Sequence, residues 1–500
     1  MSAPALSVPA VRVAAPGLLT GSIMVATVMQ VLDTTIANVA LPHMAASLSA
    51  TQEEITWVLT SYIVAAAIAT PLTGWAADTL GRKAVFLGAI IGFVAFSTLC
   101  GVAAGLPEMV LFRVFQGVFG AALVPLAQSL LLDINPREKV GQAMAIYGAG
   151  IMVGPIIGPT LGGYLTEMFN WRYVFFINVP LGIVALLGVM AFMPQEDTRE
   201  RRFDMTGFAC LAIGVGALQL LLDRGQSQDW FTSAEILVYL WLAVSGFWAF
   251  VIHCRGNPHA FVDLAMFRDR NFLMGLIFIF IIGMTLFSGL ALLPPLLQRL
   301  LGYPVIETGL VMAPRGVGTM VSMIFVGRLV RRYDPRALVL AGLLLTAYSL
   351  HLMAGFELGM DSRPIVVSGV LQGFGLGFVF VPLSTLTFAT IANRYRGDAT
   401  AMFSLVRNVG SGVGISMVTT VLARMSTVNH EEIAAAITAQ SPAIREGMPQ
   451  LLDGSRHYAS VVDRLVEQQA MMIAYIDNFF LMLLMTLTVL PIVFLLRRPA

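Results

Sequence analysis

Charge is scarce in this chain. Only 12% of its 500 residues are Asp, Glu, Lys or Arg, about half the 25% usual in soluble domains. The net charge is +1 and no basic block occurs, which excludes a nucleic-acid surface. Cysteine is also rare. Cys100, Cys210 and Cys254 lie in or beside apolar segments and none is in a long loop, so no disulfide framework is expected. The six histidines (His43, His253, His259, His351, His430 and His457) are scattered, mostly at segment ends. Nothing clusters as nucleophile, base or metal ligand, so neither an enzyme nor a bound metal or cofactor is expected. Residues 1–16 lack the basic start and small-residue cleavage site of a signal peptide. They read as a short cytoplasmic, disordered tail before an uncleaved first helix.

Apolar sequence is what the chain has in abundance. It is 57% hydrophobic, with mean hydropathy +0.81. Runs of about 20 apolar residues are each long enough to cross a hydrocarbon core of about 30 Å. Fourteen spans are predicted, near 17–41, 55–75, 84–103, 106–130, 140–165, 172–193, 204–223, 234–253, 271–293, 305–327, 337–356, 363–389, 398–423 and 475–496. The expected fold class is an all-α polytopic membrane protein. With the N-terminus cytoplasmic, nineteen Lys and Arg fall in cytoplasmic segments, among them Arg12, Arg137, Arg199, Arg201, Arg497 and Arg498, against four in short outer loops. The positive-inside rule therefore puts both ends in the cytoplasm.

The chain repeats itself. Val114-Phe115-Gln116-Gly117, followed by Val124-Pro125-Leu126, returns as Val370-Leu371-Gln372-Gly373 and Val381-Pro382-Leu383. The glycine-led, basic-ended stretch Gly74–Lys83 is echoed by Gly327–Arg336, and Gln142-Ala143-Met144 by Thr400-Ala401-Met402. The offsets are 253, 256 and 258 residues. A six-helix unit thus occurs twice, over 17–193 and 271–500, with two helices inserted in 194–270. Two such halves around a midplane cavity are the arrangement in which one half rocks against the other.

Within that frame Asp33 stands out as a lone acid in the first span. At membrane depth a carboxylate costs roughly 2.5–3.5 kcal/mol on insertion scales and reads as functional by default, unless it only packs against a base. Arg113 lies inside span 4 at the same depth, about 10–12 Å from the outer end at 1.5 Å per residue. Its position in the second copy is Gly369, so this arginine belongs to one half only. Asp33 and Arg113, directly or through Gln116 or water, are expected to pair until a proton or cationic substrate competes.

Three further groups complete the candidate machinery. Gly74, Asp78, Gly81, Arg82 and Lys83 form the cytoplasmic turn after span 2. Asp78 is expected to latch onto the positive N-terminal end of span 13 near Asp398, the alternative being a solvated charged turn. Span 5 carries Gly148, Gly150, Gly154-Pro155, Gly158-Pro159 and Gly162-Gly163, a smooth face for close helix approach with two proline bends. The candidate cavity residues are Met24, Asn38, Trp57, Tyr62, Tyr147, Phe287, Phe374, Phe378, Arg315, Arg407 and Asn408. For the aromatics and Met24 the alternative is lipid contact or packing. Arg315 and Arg407 are intramembrane bases without an acid at their depth in their own half. If they line the cavity, weak acids become plausible cargo.

These motifs, with Trp171–Pro180, Leu222-Asp223-Arg224-Gly225, Asp229-Trp230-Phe231, Ala313-Pro314-Arg315-Gly316 and Arg407-Asn408, resemble the fourteen-helix drug:proton antiporters of the major facilitator superfamily. The resemblance is in particular to the EmrB/QacA group, and it covers nearly the whole chain. Gly74–Lys83 resembles the superfamily loop motif, Arg113 with Gln116-Gly117 the proton-coupling motif of span 4, and Gly154–Gly163 the antiporter motif of exporters. Ala76 and Thr79 replace the usual leucine and arginine of the loop motif, and Ala145 the leading glycine of the antiporter motif. The resemblance implies multidrug efflux, with amphipathic acids among the cargo, through a bacterial inner-membrane permease driven by the proton gradient. It also implies a periplasmic membrane-fusion adaptor and an outer-membrane channel as partners, docked by the long outer loop 424–474. The second half of that loop has helical character, and a flexible connector is its other reading. Export of an endogenous metabolite, proton-coupled uptake and a non-transporting sensor are the competing readings.

Overall fold

The computed structural model describes residues 15–51, 53–136, 139–195, 198, 201–257, 260–437 and 456–496. The tail at 1–14, the loop segment 438–455, and Arg137, Arg199, Arg497 and Arg498 lie outside the described residues. Thirteen helices among the described residues are long and apolar enough to span a membrane, and a bent pair makes a fourteenth. In chain order these are α1 (Pro16–Ser47), α2 (Glu54–Ala69 with Leu72–Leu80), α3 (Arg82–Val102), α4 (Leu106–Ile134), α5 (Val140–Met168), α6 (Tyr173–Phe192) and α7 (Met205–Arg224). There follow α8 (Ala234–Gly256), α9 (Arg270–Pro295), α10 (Val305–Leu329), α11 (Pro335–Met353), α12 (Ser362–Ala389), α13 (Arg396–Ala436) and α14 (Arg456–Val489).

Local chemistry explains where these helices break. Pro71 has no N–H to continue α2, and the span bends by 56° there. Gly81 sits at φ +86°, a left-handed conformation that closes the turn into α3 and favours glycine. Asp204 and Asp269 cap α7 and α9 by accepting from the amides of Gly207 and Phe272.

In the first half α1 packs on α5 and α6, and α4 packs on α2 and α3. In the second half α9 packs on α13, and α12 on α10 and α11. The halves meet chiefly where α5 lies against α10 and α12. The two inserted helices differ in role. α7 contacts both α2 and α13 and so bridges the halves, while α8 packs on α7. Leu237, Val238, Trp241, Val244, Trp248 and Ile252 of α8 are exposed, a face suited to lipid.

The stretch read as the loop 424–474 is helical over much of its described length. α13 has 41 residues and α14 has 34, about 61 and 51 Å at 1.5 Å per residue. Both exceed a hydrocarbon core of about 30 Å. They run side by side, and His430 and Asp463 pair at 3.1 Å in the overhang.

Candidate functional site

The first half contains a closed polar cluster. Asp33 and Arg113 are both fully buried, and the Arg113 Nη1 donates to Asp33 Oδ2 at 2.7 Å. Asp33 Oδ1 accepts from Gln116 Nε2 at 2.9 Å and from Asn178 Nδ2 at 2.7 Å. Arg113 is held in turn: its Nε donates to the Val58 carbonyl and its Nη1 to Gln116 Oε1. Its guanidinium lies over the Tyr62 ring, 4.3 Å from the centroid. Tyr62 accepts from Gln30, and Ser97 accepts from Asn178 while donating to the Phe175 carbonyl. Five helices therefore build one carboxylate site. Three side chains donate to this one buried carboxylate, and one of them is the guanidinium that carries the compensating charge.

A second network joins the halves at the basic turn. Gly74 lies so close to Asp398 that any β-carbon there would strike the Asp398 carboxylate. Asp78 does not meet the end of α13 directly. Arg201 stands between them, 3.4 Å from Asp78 and 2.9 Å from Asp398, and it also donates to the Phe261 carbonyl. The direct Asp78 latch is thus corrected to a three-residue bridge. Like charges would repel across the direct approach, and the guanidinium joins both acids. Arg82 pairs with Asp133, which also pairs with Arg396 of the second half. Lys83 donates to the Met190 and Met193 carbonyls at the end of α6. This end of the molecule is shut by ion pairs.

α5 lies between the halves, packed on α1 of the first and on α10 and α12 of the second. Its Gly150, Gly154 and Gly158 face Met24, Val31 and Thr35 of α1, and Gly162 faces Ile36. Thr35 donates to the Gly154 carbonyl at 3.2 Å. Pro155 and Pro159 lie within the helix, and Gly163 is buried. On the other side Gly141 meets Val330, just past the end of α10, Gly148 meets Met323 of α10, and Thr160 meets Gly309.

The cavity candidates scatter. Tyr147 donates to the Val124 carbonyl at 3.3 Å, stacks near Phe380 of α12 at 6.5 Å and lies within electrostatic reach of Arg407 of α13, so these three side chains lie near one another between the halves. Asn38 is exposed on α1, and Asn408 and Phe287 are half-buried. Tyr62 belongs to the Arg113 cluster, and Met24 packs on Gly150. Trp57 lies under Arg224 at the outer end of α2. Phe378 packs on α11 at Gly342. Phe374 lines a groove between α10 and α12 beside the exposed Leu310, Val317 and Val321. Arg315 points into the second bundle, where it lines a cavity with Thr285, Thr346 and Gln372.

Three participants escaped sequence reasoning as site residues. Asn178 sits where the short helix Tyr173–Phe176 joins the rest of α6; the signal was a polar residue in an apolar run. Arg201 and Asp133 looked like ordinary loop charges, and nothing local distinguishes them.

Comparison with known proteins agrees with this architecture. Residues 23–415 match the model of the Major Facilitator Superfamily. The chain is 36% identical over 437 residues to the multidrug export protein EmrB of Escherichia coli K12, spanning 87% of this chain and 85% of that one. It is 34% identical to the fatty acid resistance protein FarB of Neisseria gonorrhoeae over 98% of both chains. Among solved structures it resembles the human organic anion transporter MFSD10, with TM-score 0.58 and 15% identity over 94% of this chain and 99% of the other, a likeness of fold. The chain belongs to the Major Facilitator Superfamily.

Proposed function

We propose that this membrane transporter exports hydrophobic and amphipathic compounds from the bacterial cytoplasm in exchange for protons, by alternating access of its two halves. The observation that carries the reading is the buried Asp33 carboxylate with its three donors. In the conformation seen here the ion-paired turn closes one face, which the arginine distribution makes cytoplasmic. A proton reaching Asp33 from the opposite side neutralises it and frees Arg113. The halves then release the Arg201 and Asp133 bridges and open inward, where the proton leaves and cargo binds. Each proton moving down about 100 mV supplies about 2.3 kcal/mol. The relatives named as a multidrug export protein and a fatty acid resistance protein support efflux of amphipathic compounds.

The overhanging α13–α14 pair offers a helical surface for a periplasmic membrane-fusion adaptor, which would lead to an outer-membrane channel. The test is proton release from proteoliposomes loaded with a pH dye, on addition of compounds from a drug panel. Wild type should release protons with a substrate, and Asp33→Asn should not. Full release by the mutant would remove Asp33 from the mechanism. Proton movement in the same direction as cargo would indicate uptake by symport.

A further inference from the structure

The second half has its own buried arginine, and its surroundings differ from those of Arg113 in one decisive respect. The repeat sets the comparison. A β-carbon at Gly117 would lie 2.5 Å from the Tyr62 carbonyl oxygen, and one at Gly373, 256 residues later, would collide with the Arg315 carbonyl. Arg315 on α10 therefore stands where Tyr62 stands on α2. Gln372 takes the place of Gln116, and Gly369 that of Arg113, with its β-carbon position only 3.4 Å from that of Arg315. The absence of a side chain at Gly369 leaves room for the one from α10. The second bundle thus keeps an arginine and a glutamine beside one another and delivers the arginine from a different helix.

The carboxylate is what it does not keep. α9, the counterpart of the helix that carries Asp33, contains no Asp or Glu. Toward the Arg315 guanidinium it presents Thr285, Gly289 and the Leu286 carbonyl, the last at 3.4 Å from Nη2. No charged side chain pairs with Arg315 among the described residues. Arg315 is 6% exposed and Gln372 4%. Arg315 Nη1 and Gln372 Oε1 are buried without hydrogen-bond partners. Both groups border a cavity whose other polar neighbours are Thr285, Thr346 and Thr486, each donating to its own helix carbonyl. Leu286 and Leu376 supply apolar wall. A buried, unpaired guanidinium is costly, and a group that brings the missing negative charge repays the cost.

We propose that this cavity is a binding site for a compact monoanion, a halide or a small carboxylate group, held by Arg315 with Gln372 and Thr285 beside it. The site is distinct from the Asp33 cluster and its occupancy requires no proton transfer.

The test is equilibrium binding to the full chain in lipid nanodiscs, in gluconate buffer at constant ionic strength, with chloride or butyrate as probe. Calorimetry and the thermal midpoint are the readouts. Wild type should bind and gain thermal stability with one or both probes. Chloride alone would mark a halide site, and butyrate alone a carboxylate-recognition site; either result supports the proposal. Arg315→Gln should weaken binding by about thirtyfold or more, the scale of losing one partner of a buried charge pair. Gly289→Asp is the second variant. Its β-carbon would lie 3.3 Å from both terminal guanidinium nitrogens, so its carboxylate should occupy the site, abolish binding and leave a folded protein. Asp33→Asn should bind as wild type does, which separates this proposal from proton coupling. No binding by wild type, or undiminished binding by Arg315→Gln, overturns it.

Discussion

The two halves share a backbone plan and place opposite demands on their buried arginines. In the first half Arg113 is matched by Asp33, and Gln116 and Asn178 saturate the carboxylate. Each arginine keeps one terminal nitrogen without a hydrogen-bond partner, Nη2 of Arg113 and Nη1 of Arg315, but in the second half Arg315 faces a cavity instead of an acid. Duplication supplies a scaffold that tolerates a buried cation in either copy. Whether the cation is structural or available to a ligand depends on one neighbouring acid.

The sharpest way to break this comparison is to remove each arginine in turn. Arg113→Leu strands the Asp33 carboxylate and should cost about 3–5 kcal/mol, the usual penalty for halving a buried pair. Arg315→Leu in halide-free gluconate buffer strands nothing and should raise the thermal midpoint rather than lower it. Equal losses in the two variants would dissolve the distinction. Asp33→Asn should fall next, at about 1–3 kcal/mol, because the amide keeps the shape but leaves the guanidinium uncompensated. Denaturant unfolding in detergent would measure both.

The closed face sharpens the contrast between halves in another way. Arg201→Ala leaves Asp398 beside Asp78 without the bridging cation. The closed form should lose on the order of 1 kcal/mol, since the pairs are partly solvated. Double electron–electron resonance between spin labels on α3 and α11 should then report a larger inward-open population. Gly74→Leu should produce the same shift by steric force, and a distance distribution identical to wild type would deny the latch.

A smaller effect is expected at the inserted helices. Burial opposes ionisation of Asp204, but the Gly207 and Phe261 amides and His253 outweigh it and hold the carboxyl below its ordinary value. Its stabilisation is complete above the unfolded carboxylate pKa and is lost as pH falls through the lower folded value. Below that range Asp204→Asn and wild type should unfold at the same temperature, while at pH 7 wild type should be the more stable. The smallest effect belongs to the overhang. His430→Ala removes a pair with a largely exposed Asp463 and should change stability by less than about 0.5 kcal/mol.

Much of the plan was legible in the chain. Fourteen spans, the doubled six-helix unit and the matched depth of Asp33 and Arg113 follow from apolar run length and repeat spacing, which depend on the membrane's thickness and the helix rise. The helical overhang was legible only in part, because polar helical segments lack the apolar signal that marks spans. The surroundings of several cavity candidates were not legible for a related reason. Tyr62, Phe374 and Phe378 are aromatic in every reading, and only packing tells which neighbour each one meets.

The sequence by itself determined the membrane class, the two halves and an acid that must be functional or paired, because burying polar groups in lipid leaves few alternatives. Tertiary structure decided the partners. Asn178 reaches Asp33 across 145 residues and Arg201 reaches Asp398 across 197, separations at which a sequence carries no local constraint. It also decided that Arg315 turns into its own bundle. The direction of a side chain is set by which helix face its neighbours leave open, and that is known only when all of them are in place.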